Sequence, residues 1–432
     1  MKMKEEFDTV IVGAGASGLI AALEAAKGGG KVLLIERMDS PGRKILATGN
    51  GRCNMTNMNM NGDCYRGSGQ ALARYGISQM TPEKLRRYFY SLGLYTIERD
   101  GYVYPVTEQA KTVLRILNEA LMKQGVIIHK GETVTNICPR KNEKNISREH
   151  DTDSYSSEAG FRRFAVRYDI ETEQGSYRAP HVVLAAGGKA SPNLGSNGSG
   201  YELAKKLGLK VNRPLPALTA LTSPKGIFKA LSGVRTKGGL SLFIDGTKAG
   251  FEKGEIQFTA YGVSGIPVFQ LSRYAVEALE KKEKTELFFD FFPDLSFQEL
   301  RTIVRDFRKE TDCFSVLSGL VHEKWVSVLL KEAGISGNKG TVSEKKWNYL
   351  VSLLKEYPIP VDGYRDFDFA QACQGGVDAS ELTSNLESKK HKGLYLTGEL
   401  VDVDGTCGGY NLHWAFTSGY LAGTAIAKQG MR

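Results

Sequence analysis

The stretch that decides the fold is FDTVIVGAGASGLIAALEAAKGGGKVLLIE, residues 7–36. The apolar run at 7–12 predicts a buried strand, and the alanine-rich segment at 16–27 predicts a helix. A second apolar run at 31–36 predicts another strand. Since a strand, a helix and a strand within about 30 residues are the usual opening of a parallel sheet, we predict an α/β fold that begins with a βαβ unit.

The turn between the first strand and the helix has the spacing G-x-G-x-x-G. Gly13 permits the tight turn, Gly15 lets the backbone approach a pyrophosphate, and Gly18 allows close packing of helix on strand. The N-terminus of the helix offers free N–H groups and partial positive charge to phosphates. Glu36, 18 residues after Gly18, can accept hydrogen bonds from both ribose hydroxyls. Because a carboxylate repels a 2′-phosphate, the pattern predicts a dinucleotide site that does not prefer NADP.

Two further glycine-rich segments suit the same ligand. Residues 40–54 include SPGRK and ATGNGRCN, in which cations lie beside glycines. Such a loop can donate hydrogen bonds to a phosphate or to an electron-rich ring, although a structured surface loop is the simpler alternative. Residues 396–412, LTGELVDVDGTCGGYNL, lead from a predicted strand at 393–400 into a predicted helix at 409–428. The N-terminus of that helix can stabilise negative charge on a reduced flavin, whereas a capping loop without a ligand is the alternative.

The Rossmann-like pattern opens and closes the chain. The segment between its two halves differs in character, which indicates an insertion. We therefore predict a discontinuous cofactor-binding domain, residues 1–194 and 366–432, interrupted by an inserted domain at 195–365. Within the first part, the segment 139–163 is largely polar, and we predict a mobile hairpin tip there.

The insert combines strands with helices. Ser296 and Ser343 are predicted helix caps. The aromatic run FFDFF at 288–292 is more typical of a core than of a ligand contact. Four helices are predicted, at 267–281, 296–309, 314–333 and 343–356.

Composition limits the function classes. The 432-residue chain has a formal net charge of +9, but its cations are spread along the sequence, which favours a solvated surface over a nucleic-acid partner. Its six cysteines form no C-x-x-C pair, and no metal cluster stands out. The N-terminus has no apolar signal core, and no apolar run approaches the roughly 20 residues that span a bilayer. We predict a cytoplasmic protein that acts on a small molecule.

The strings SPGRKI, TGNGRCN and GGYN make the chain resemble the flavoprotein family that includes BaiN-type bile-acid reductases and aminoacetone oxidases. The resemblance covers both chain ends and residues 181–208. It implies an FAD-binding Rossmann-like domain with an inserted β-barrel, at about 205–262 and 357–365, and a helical part at about 263–356. It also implies that FAD is held by the glycine turn and the loops named above. The predicted cofactor-binding residues are Gly13, Gly15, Ala16, Ser17, Gly18, Glu36, Arg37, Arg43, Lys44, Thr48, Gly49, Asn50, Gly51, Arg52, Cys53, Asn54, Val134, Ala186, Gly187, Gly398, Glu399, Asp404, Gly409, Asn411 and Leu412.

The sequence leaves the catalytic residue open. His413, just inside the last predicted helix, could donate a proton to a substrate, but a structural histidine is favoured. Tyr261, Tyr364 and Tyr410 are candidate phenol donors to a substrate carbonyl, although tyrosines also serve packing alone.

Cys53 and Cys407 both lie in predicted cofactor loops. A flavin–disulfide relay between them is one interpretation. No reactive pair motif supports it, so small buried thiols are favoured.

Three function hypotheses follow. The first is hydride transfer from NAD(P)H through FAD to a conjugated C=C bond of an apolar oxo substrate, such as a 3-oxo steroid or bile acid. The second is an amine oxidase, similar to aminoacetone oxidases, that produces hydrogen peroxide. The third is a flavin-containing RNA-modifying or RNA-binding factor. The chain has no second G-x-G-x-x-G, so NAD(P)H would dock without a Rossmann domain of its own.

Overall fold

The computed structural model describes residues 5–140, 165, 167–307, 312–335 and 342–430. The chain divides into two compact units. The first unit comprises residues 1–214 and 372–432, and the second unit comprises residues 215–371. One unit therefore interrupts the other along the chain, as an inserted domain does.

The unit boundaries differ from the predicted domain boundaries at both ends of the insert. Residues 195–214 lie in the first unit, where Tyr201 is buried in the hydrophobic core. Residues 366–371 lie in the second unit, where the N–H of Gln371 donates to the carbonyl of Leu218. Both boundaries are set by contacts with residues that are distant along the chain, and the local sequence pattern does not reveal these contacts.

A five-stranded parallel sheet forms the centre of the first unit. The two strands of the predicted βαβ unit are present as Thr9–Val12 and Val32–Glu36, and both are buried throughout, as expected for a parallel sheet covered on both faces. The prediction of an α/β, Rossmann-like fold is confirmed. Across the sheet the strands are ordered Leu394–Leu396, His181–Leu184, Thr9–Val12, Val32–Glu36 and Ile127–Lys130.

The first and last helices of the first unit pack against each other. The helix after the glycine turn spans Ala16–Ala26, and the last helix spans Tyr410–Gly430. A Cβ atom on Gly419 would lie 2.2 Å from the carbonyl oxygen of Ser17, and Gly423 is confined in the same way. Since no side chain fits at either position, the two backbones are in contact, and the ends of the chain meet in one unit.

Smaller sheets and further helices complete the first unit. One sheet has the order Glu5–Glu6, Ser176–Ala179, Tyr168–Thr172 and Val134–Pro139. Another has the order Thr56–Asn57, Tyr102–Pro105 and Thr96–Arg99, and Tyr65–Arg66 pairs with Asp404–Gly405. Of the predicted hairpin tip, residues 141–163 lie outside the described residues. The other helices are Arg43–Ala47, Gln70–Gln79, Pro82–Ser91, Ala110–Lys123 and Ser199–Lys206. The other strands are Ala372–Val377 and Val211–Ala217, and the latter crosses the boundary after residue 214.

A seven-stranded antiparallel sheet forms the core of the second unit. Its two outermost strands, Tyr357–Val361 and Gly363–Tyr364, are separated only by Asp362. One nearly continuous segment therefore borders both ends of the sheet, as in a small barrel. The full order is Tyr357–Val361, Thr285–Asp290, Arg235–Ile244, Thr247–Thr259, Gly262–Ser264, Leu221–Thr222 and Gly363–Tyr364.

The strand Thr285–Asp290 lies inside the range that was predicted to be helical. Its side chains are alternately buried and half-buried, which is the period of a strand. The predicted core role of the aromatic run is confirmed, since Phe289 and Phe291 are buried and their rings lie 6.3 and 5.0 Å from that of Trp325.

Two helices of the second unit begin at the predicted caps, Ser296 and Ser343. Ser296 and Glu299 form a capping box, in which each side chain accepts the N–H of the other residue. Ser343 accepts the N–H of Lys346. The helix predicted at 314–333 is two helices. The helices are Phe228–Leu231, Ile266–Glu280, Phe297–Phe307, Cys313–Ser318, Glu323–Glu332 and Glu344–Lys355. Within the described part of the chain, none of the helices combines the length and apolar character that crossing a bilayer requires.

Candidate cofactor site

The three glycines of the turn differ in whether the fold has room for a side chain at their position. Gly13 has a φ of +102°, and a Cβ atom there would lie 2.6 Å from the carbonyl oxygen of Ala185. A Cβ atom on Gly18 would lie only 1.9 Å from the carbonyl oxygen of Gly13. A Cβ atom on Gly15, by contrast, would meet no protein atom within 4 Å. The fold itself requires glycine at Gly13 and Gly18. At Gly15, by contrast, glycine leaves open space beside the start of the helix.

The helix that follows this turn is suited to an anion. It begins at Ala16, and its N-cap residue Gly15 has no side chain that could accept N–H groups of the first turn. The first-turn N–H groups and the helix dipole can therefore act on a ligand phosphate. The open space at Gly15 lies at this same end of the helix.

Glu36 connects the second strand to the glycine turn. Its carboxylate is buried, with Oε2 accepting the N–H of Ala14 at 2.7 Å and Oε1 accepting the N–H of Met38 at 2.9 Å. A carboxylate has about four acceptor positions, so two remain for ligand hydroxyls. The ribose role predicted for Glu36 is compatible with these contacts, which also hold the turn in place.

The cations of the predicted loops have different partners. Lys44 Nζ lies 2.8 Å from Glu399 Oε2, and Glu399 Oε1 accepts the N–H of Cys373 at 2.9 Å. Arg37 donates to the carbonyl of Gly195 at 3.0 Å. The structure thus brings together Lys44 and Glu399, which the sequence placed in separate segments, and much of the Lys44 charge is balanced within the protein.

The remaining two arginines lie nearer the surface. Arg43 makes a 3.3 Å ion pair with Asp39, which lies four residues earlier, before the helix. The Arg52 guanidinium lies 5.2 Å from the centre of the Tyr104 ring and donates to the carbonyl of Gly49. Neither is held by a buried partner, so both arginines remain available to a ligand.

The loop after Lys44 has an unusual backbone. Thr48 donates to the carbonyl of Ile45, and the residues after it include Gly49 and Gly51 with positive φ. Asn50 and Cys53 also have positive φ, at 55° and 61°. Such conformations are uncommon in residues other than glycine, and they concentrate at functional sites.

Asn54 supplies a direct test of whether the loop fits a cofactor. Its Oδ1 atom is buried and accepts no hydrogen bond from any described residue. A Cβ atom on Gly409 would lie 2.8 Å from this oxygen, so Asn54 lies beside the start of the last helix. Buried polar atoms are normally hydrogen-bonded. The orphaned oxygen and the open space at Gly15 both fit a bound cofactor with N–H donors and phosphates.

The segment before the last helix is arranged by its own side chains. The Asn411 amide accepts the N–H of Gly405 at 2.7 Å and donates to its carbonyl at 2.9 Å. Asp404 is buried and has a partner within the protein. Gly398 has a φ of +67°, and Leu412 packs on the core of the first unit. Asn411 therefore shapes the loop, and its amide is already engaged.

Three predicted contacts lie at strands of two different sheets. Ala186 and Gly187 follow the strand His181–Leu184, which is paired with Thr9–Val12. Val134 is buried at the start of its own strand. Because the carboxyl ends of parallel strands share one edge, Ala186 and Gly187 lie at the edge that also carries the glycine turn.

His413 is held as a neutral, structural side chain. It is buried, with Thr56 Oγ1 2.8 Å from Nδ1 and the carbonyl of Met80 2.9 Å from Nε2. Burial lowers the pKa of His413 to about 4. Both ring nitrogens are engaged, which favours the structural interpretation over a proton donor. The Tyr410 hydroxyl, the other catalytic candidate, donates to the carbonyl of Asn59 at 3.2 Å.

The six cysteines are all free. Burial raises the pKa of Cys53 to about 12 and that of Cys407 to about 11. Thiols that stay protonated are poor nucleophiles, which counts against a relay. Cys373, whose N–H binds Glu399, is a contact that sequence reasoning missed, because nothing near it resembles a motif.

Comparisons with known proteins show what the chain is similar to. The sequence profile described as the HI0933-like protein Rossmann domain matches residues 7–425. A 3-dehydro-bile acid delta(4,6)-reductase of Clostridium scindens is 37% identical over 97% of this chain and 98% of its own. A ribosomal RNA dihydrouridine synthase of Haemophilus influenzae is 25% identical over 99% of this chain and 100% of its own. Among solved structures, a 3-ketosteroid-delta4-(5alpha)-dehydrogenase of Rhodococcus jostii is 16% identical with a TM-score of 0.45, over 99% of this chain and 98% of that one.

Proposed function

The chain belongs to the HI0933-like family of Rossmann-domain proteins and is an FAD-dependent oxidoreductase, and we propose that it reduces a conjugated C=C bond of an apolar oxo compound. A 3-oxo steroid or bile acid is the proposed substrate class. The observation that carries the proposal is the 37% identity, over nearly the full length of both chains, to a protein named as a bile acid reductase.

The first unit would hold the cofactor with residues from both ends of the chain. The N-terminus of the helix Ala16–Ala26 would bind the pyrophosphate, Gly15 would leave room for it, and Glu36 would accept the ribose hydroxyls. Asn54 and the N-terminus of the last helix would bind the ring. Bound FAD supplies the hydride-transfer chemistry, while the protein positions the ring and stabilises its negative charge.

NAD(P)H is the proposed electron donor. The chain has no second glycine fingerprint, so the nicotinamide would approach FAD directly. Glu36 would contact the adenosine part of FAD, so it would set no preference between NADH and NADPH as donors.

We also propose a cytoplasmic location. All six cysteines are unpaired, which is the usual state in a reducing compartment. Fractionation of cells that express a tagged chain would test this, with recovery in an oxidising compartment as the contradicting result.

Anaerobic half-reactions test the proposed function. The purified holoenzyme is mixed with NADH or NADPH, and then with a 3-oxo-4-ene steroid, while flavin absorbance is followed. We expect loss of absorbance with at least one nicotinamide and its recovery with the steroid. A saturated 3-oxo steroid is the matched control and should not restore absorbance. A flavin that stays oxidised with both nicotinamides would refute the proposed donor. Absorbance that returns when oxygen is added, but not when the steroid is added, would refute the proposed acceptor.

An RNA base is a second candidate substrate, favoured by the relative named as a ribosomal RNA dihydrouridine synthase. The first unit also has a surface groove of about 490 Å³, lined in part by Arg86, Arg87, Tyr90 and Tyr95. Tyr90 and Tyr95 are 67% and 61% exposed, and exposed aromatic rings beside cations can stack on single-stranded bases.

Retention of RNA at several salt concentrations tests this second candidate. Salt-dependent retention that is lost in Tyr90→Ala and Arg87→Ala would favour it. Absence of retention at low salt would exclude the groove as an RNA site.

A further inference from the structure

Glu132 is a carboxylate buried where two sheets of the first unit meet along the chain. Its side chain is 2% exposed. The strand before it, Ile127–Lys130, is an edge strand of the parallel sheet, and the strand after it, Val134–Pro139, belongs to the four-stranded sheet. Burying a carboxylate at this depth costs free energy unless hydrogen bonds satisfy its oxygens.

Three side chains from three different strands hold the Glu132 carboxylate. The Thr172 hydroxyl donates to Oε1 at 2.6 Å, and the Tyr177 hydroxyl donates to the same oxygen at 2.9 Å. His129 Nδ1 lies 3.1 Å from Oε2. Burial raises the pKa of Tyr177, so its hydroxyl keeps the proton that it donates. Because an apolar side chain would avoid the cost of burying a charge, this arrangement indicates a need for fixed geometry.

The backbone around Glu132 contacts the end of the strand that carries Glu36. The N–H of Gly131 donates to the carbonyl of Met38 at 2.9 Å, and the N–H of Glu132 donates to the carbonyl of Glu36 at 3.0 Å. Glu36 is the residue whose carboxylate would accept the ribose hydroxyls of FAD. The segment 131–134 therefore lies directly against the backbone of the adenosine end of the proposed cofactor site.

The same segment leads into Val134, which is another predicted cofactor contact. Val134 is buried and lies opposite Thr172 in the register of the four-stranded sheet. Since Thr172 also donates to the Glu132 carboxylate, one hydroxyl connects the carboxylate to the strand beside Val134. Glu132 is thus linked, through a single short segment, to two predicted contacts of FAD.

We propose that Glu132 is a positioning residue for the adenosine half of FAD, because it fixes the segment 131–134 that lies against Glu36 and leads into Val134. Its own carboxylate faces protein donors and would contact no ligand. A binding group that loses its supporting contacts is placed less precisely, which weakens the binding of its ligand. The inference rests on the proposed function in that FAD must be the cofactor.

The test separates the two halves of FAD. Holoenzyme from which FAD has been removed is titrated with FAD and with FMN, which lacks the adenosine half. ADP is titrated by its competition with FAD, so the adenosine half is measured even where FMN binds too weakly to titrate.

Glu132→Gln keeps the size of the side chain and removes its charge. We expect the Kd of FAD and that of ADP to rise about tenfold, because buried donors lose a charged acceptor and the segment is held less firmly. FMN should bind as it does to the natural protein, since its part of the site does not depend on this segment.

Glu24→Gln is the matched control. Glu24 is a second buried carboxylate of the first unit, and it accepts the Tyr88 hydroxyl at 2.7 Å near the end of the helix Ala16–Ala26, away from the glycine turn. This substitution should lower the melting temperature and leave the Kd values of FAD, FMN and ADP unchanged. Tyr177→Phe removes one donor to Glu132 and keeps the ring, so it should give a smaller rise for FAD and ADP. It keeps the test decisive if Glu132→Gln does not fold.

The outcomes separate this inference from the proposed function. Equal weakening of FAD and FMN, or weakening of FAD without weakening of ADP, overturns the positioning role and leaves FAD as the cofactor. Unchanged affinities in both Glu132→Gln and Tyr177→Phe do the same. Equal losses in Glu24→Gln and Glu132→Gln also overturn it, because they would reflect a general loosening of the fold. A natural protein that binds neither FAD nor ADP refutes the proposed function itself.

Discussion

Replacing Gly15 with alanine tests whether the open space at the glycine turn is a ligand site. The added methyl group would meet no protein atom within 4 Å. The backbone there has φ −75° and ψ −172°, an extended conformation that alanine adopts without strain. The free energy of unfolding of the FAD-free protein should therefore change by less than about 0.5 kcal/mol.

The same methyl group should strongly affect FAD. It would occupy the space through which a pyrophosphate approaches the backbone. Inserting a methyl group into a packed contact costs about 1–3 kcal/mol, which corresponds to a Kd raised about 5- to 150-fold.

The assay is titration of FAD-free protein with FAD, followed by quenching of flavin fluorescence, with urea unfolding in parallel. Gly175→Ala is the matched control, because a Cβ atom there also meets nothing within 4 Å and its φ is not positive. The control should bind FAD as the natural protein does. Unchanged FAD affinity in Gly15→Ala would refute the placement of the phosphates at this turn.

Three further predictions, made with four substitutions, test the packing around the site. Gly18→Ala should destabilise the fold by about 1–3 kcal/mol or more in urea unfolding, because its Cβ atom would lie 1.9 Å from the carbonyl oxygen of Gly13. For His413, burial lowers the pKa in the folded state from 6.5 to about 4, so the unfolded state takes up the proton first as pH falls. The free energy of unfolding should therefore decrease by about 3 kcal/mol as the pH falls from 6.5 to about 4. In His413→Gln this decrease should be smaller, as measured by unfolding at several pH values, while bound flavin and turnover are kept. In a double-mutant cycle, Lys44→Met and Glu399→Gln should couple by about 1 kcal/mol, since both side chains are largely shielded; additive effects would contradict the ion pair.

Local sequence patterns predicted the parts of the fold that depend on neighbours along the chain. The helix predicted at 16–27 is observed as Ala16–Ala26, and the one predicted at 409–428 as Tyr410–Gly430. The glycine turn also has the predicted geometry. In each case glycines and a strong apolar period fix the element before tertiary contacts act.

The parts that were missed depend on distant partners. The strand Thr285–Asp290 pairs with Arg235–Ile244 and Tyr357–Val361, and these pairings override its predicted place among helices. Lys44 and Glu399 are 355 positions apart, so their ion pair could not be inferred from either segment alone. The two partners of His413, which decide its neutral state, are similarly remote.

The most direct test of the account is the amount of flavin bound by the purified natural protein. The protein is denatured, and the released cofactor is identified and counted against the chain. We predict FAD, close to one molecule per chain, and a strong loss of it in Gly15→Ala but not in Gly175→Ala. A well-folded, colourless protein that takes up no added FAD would contradict the central claim.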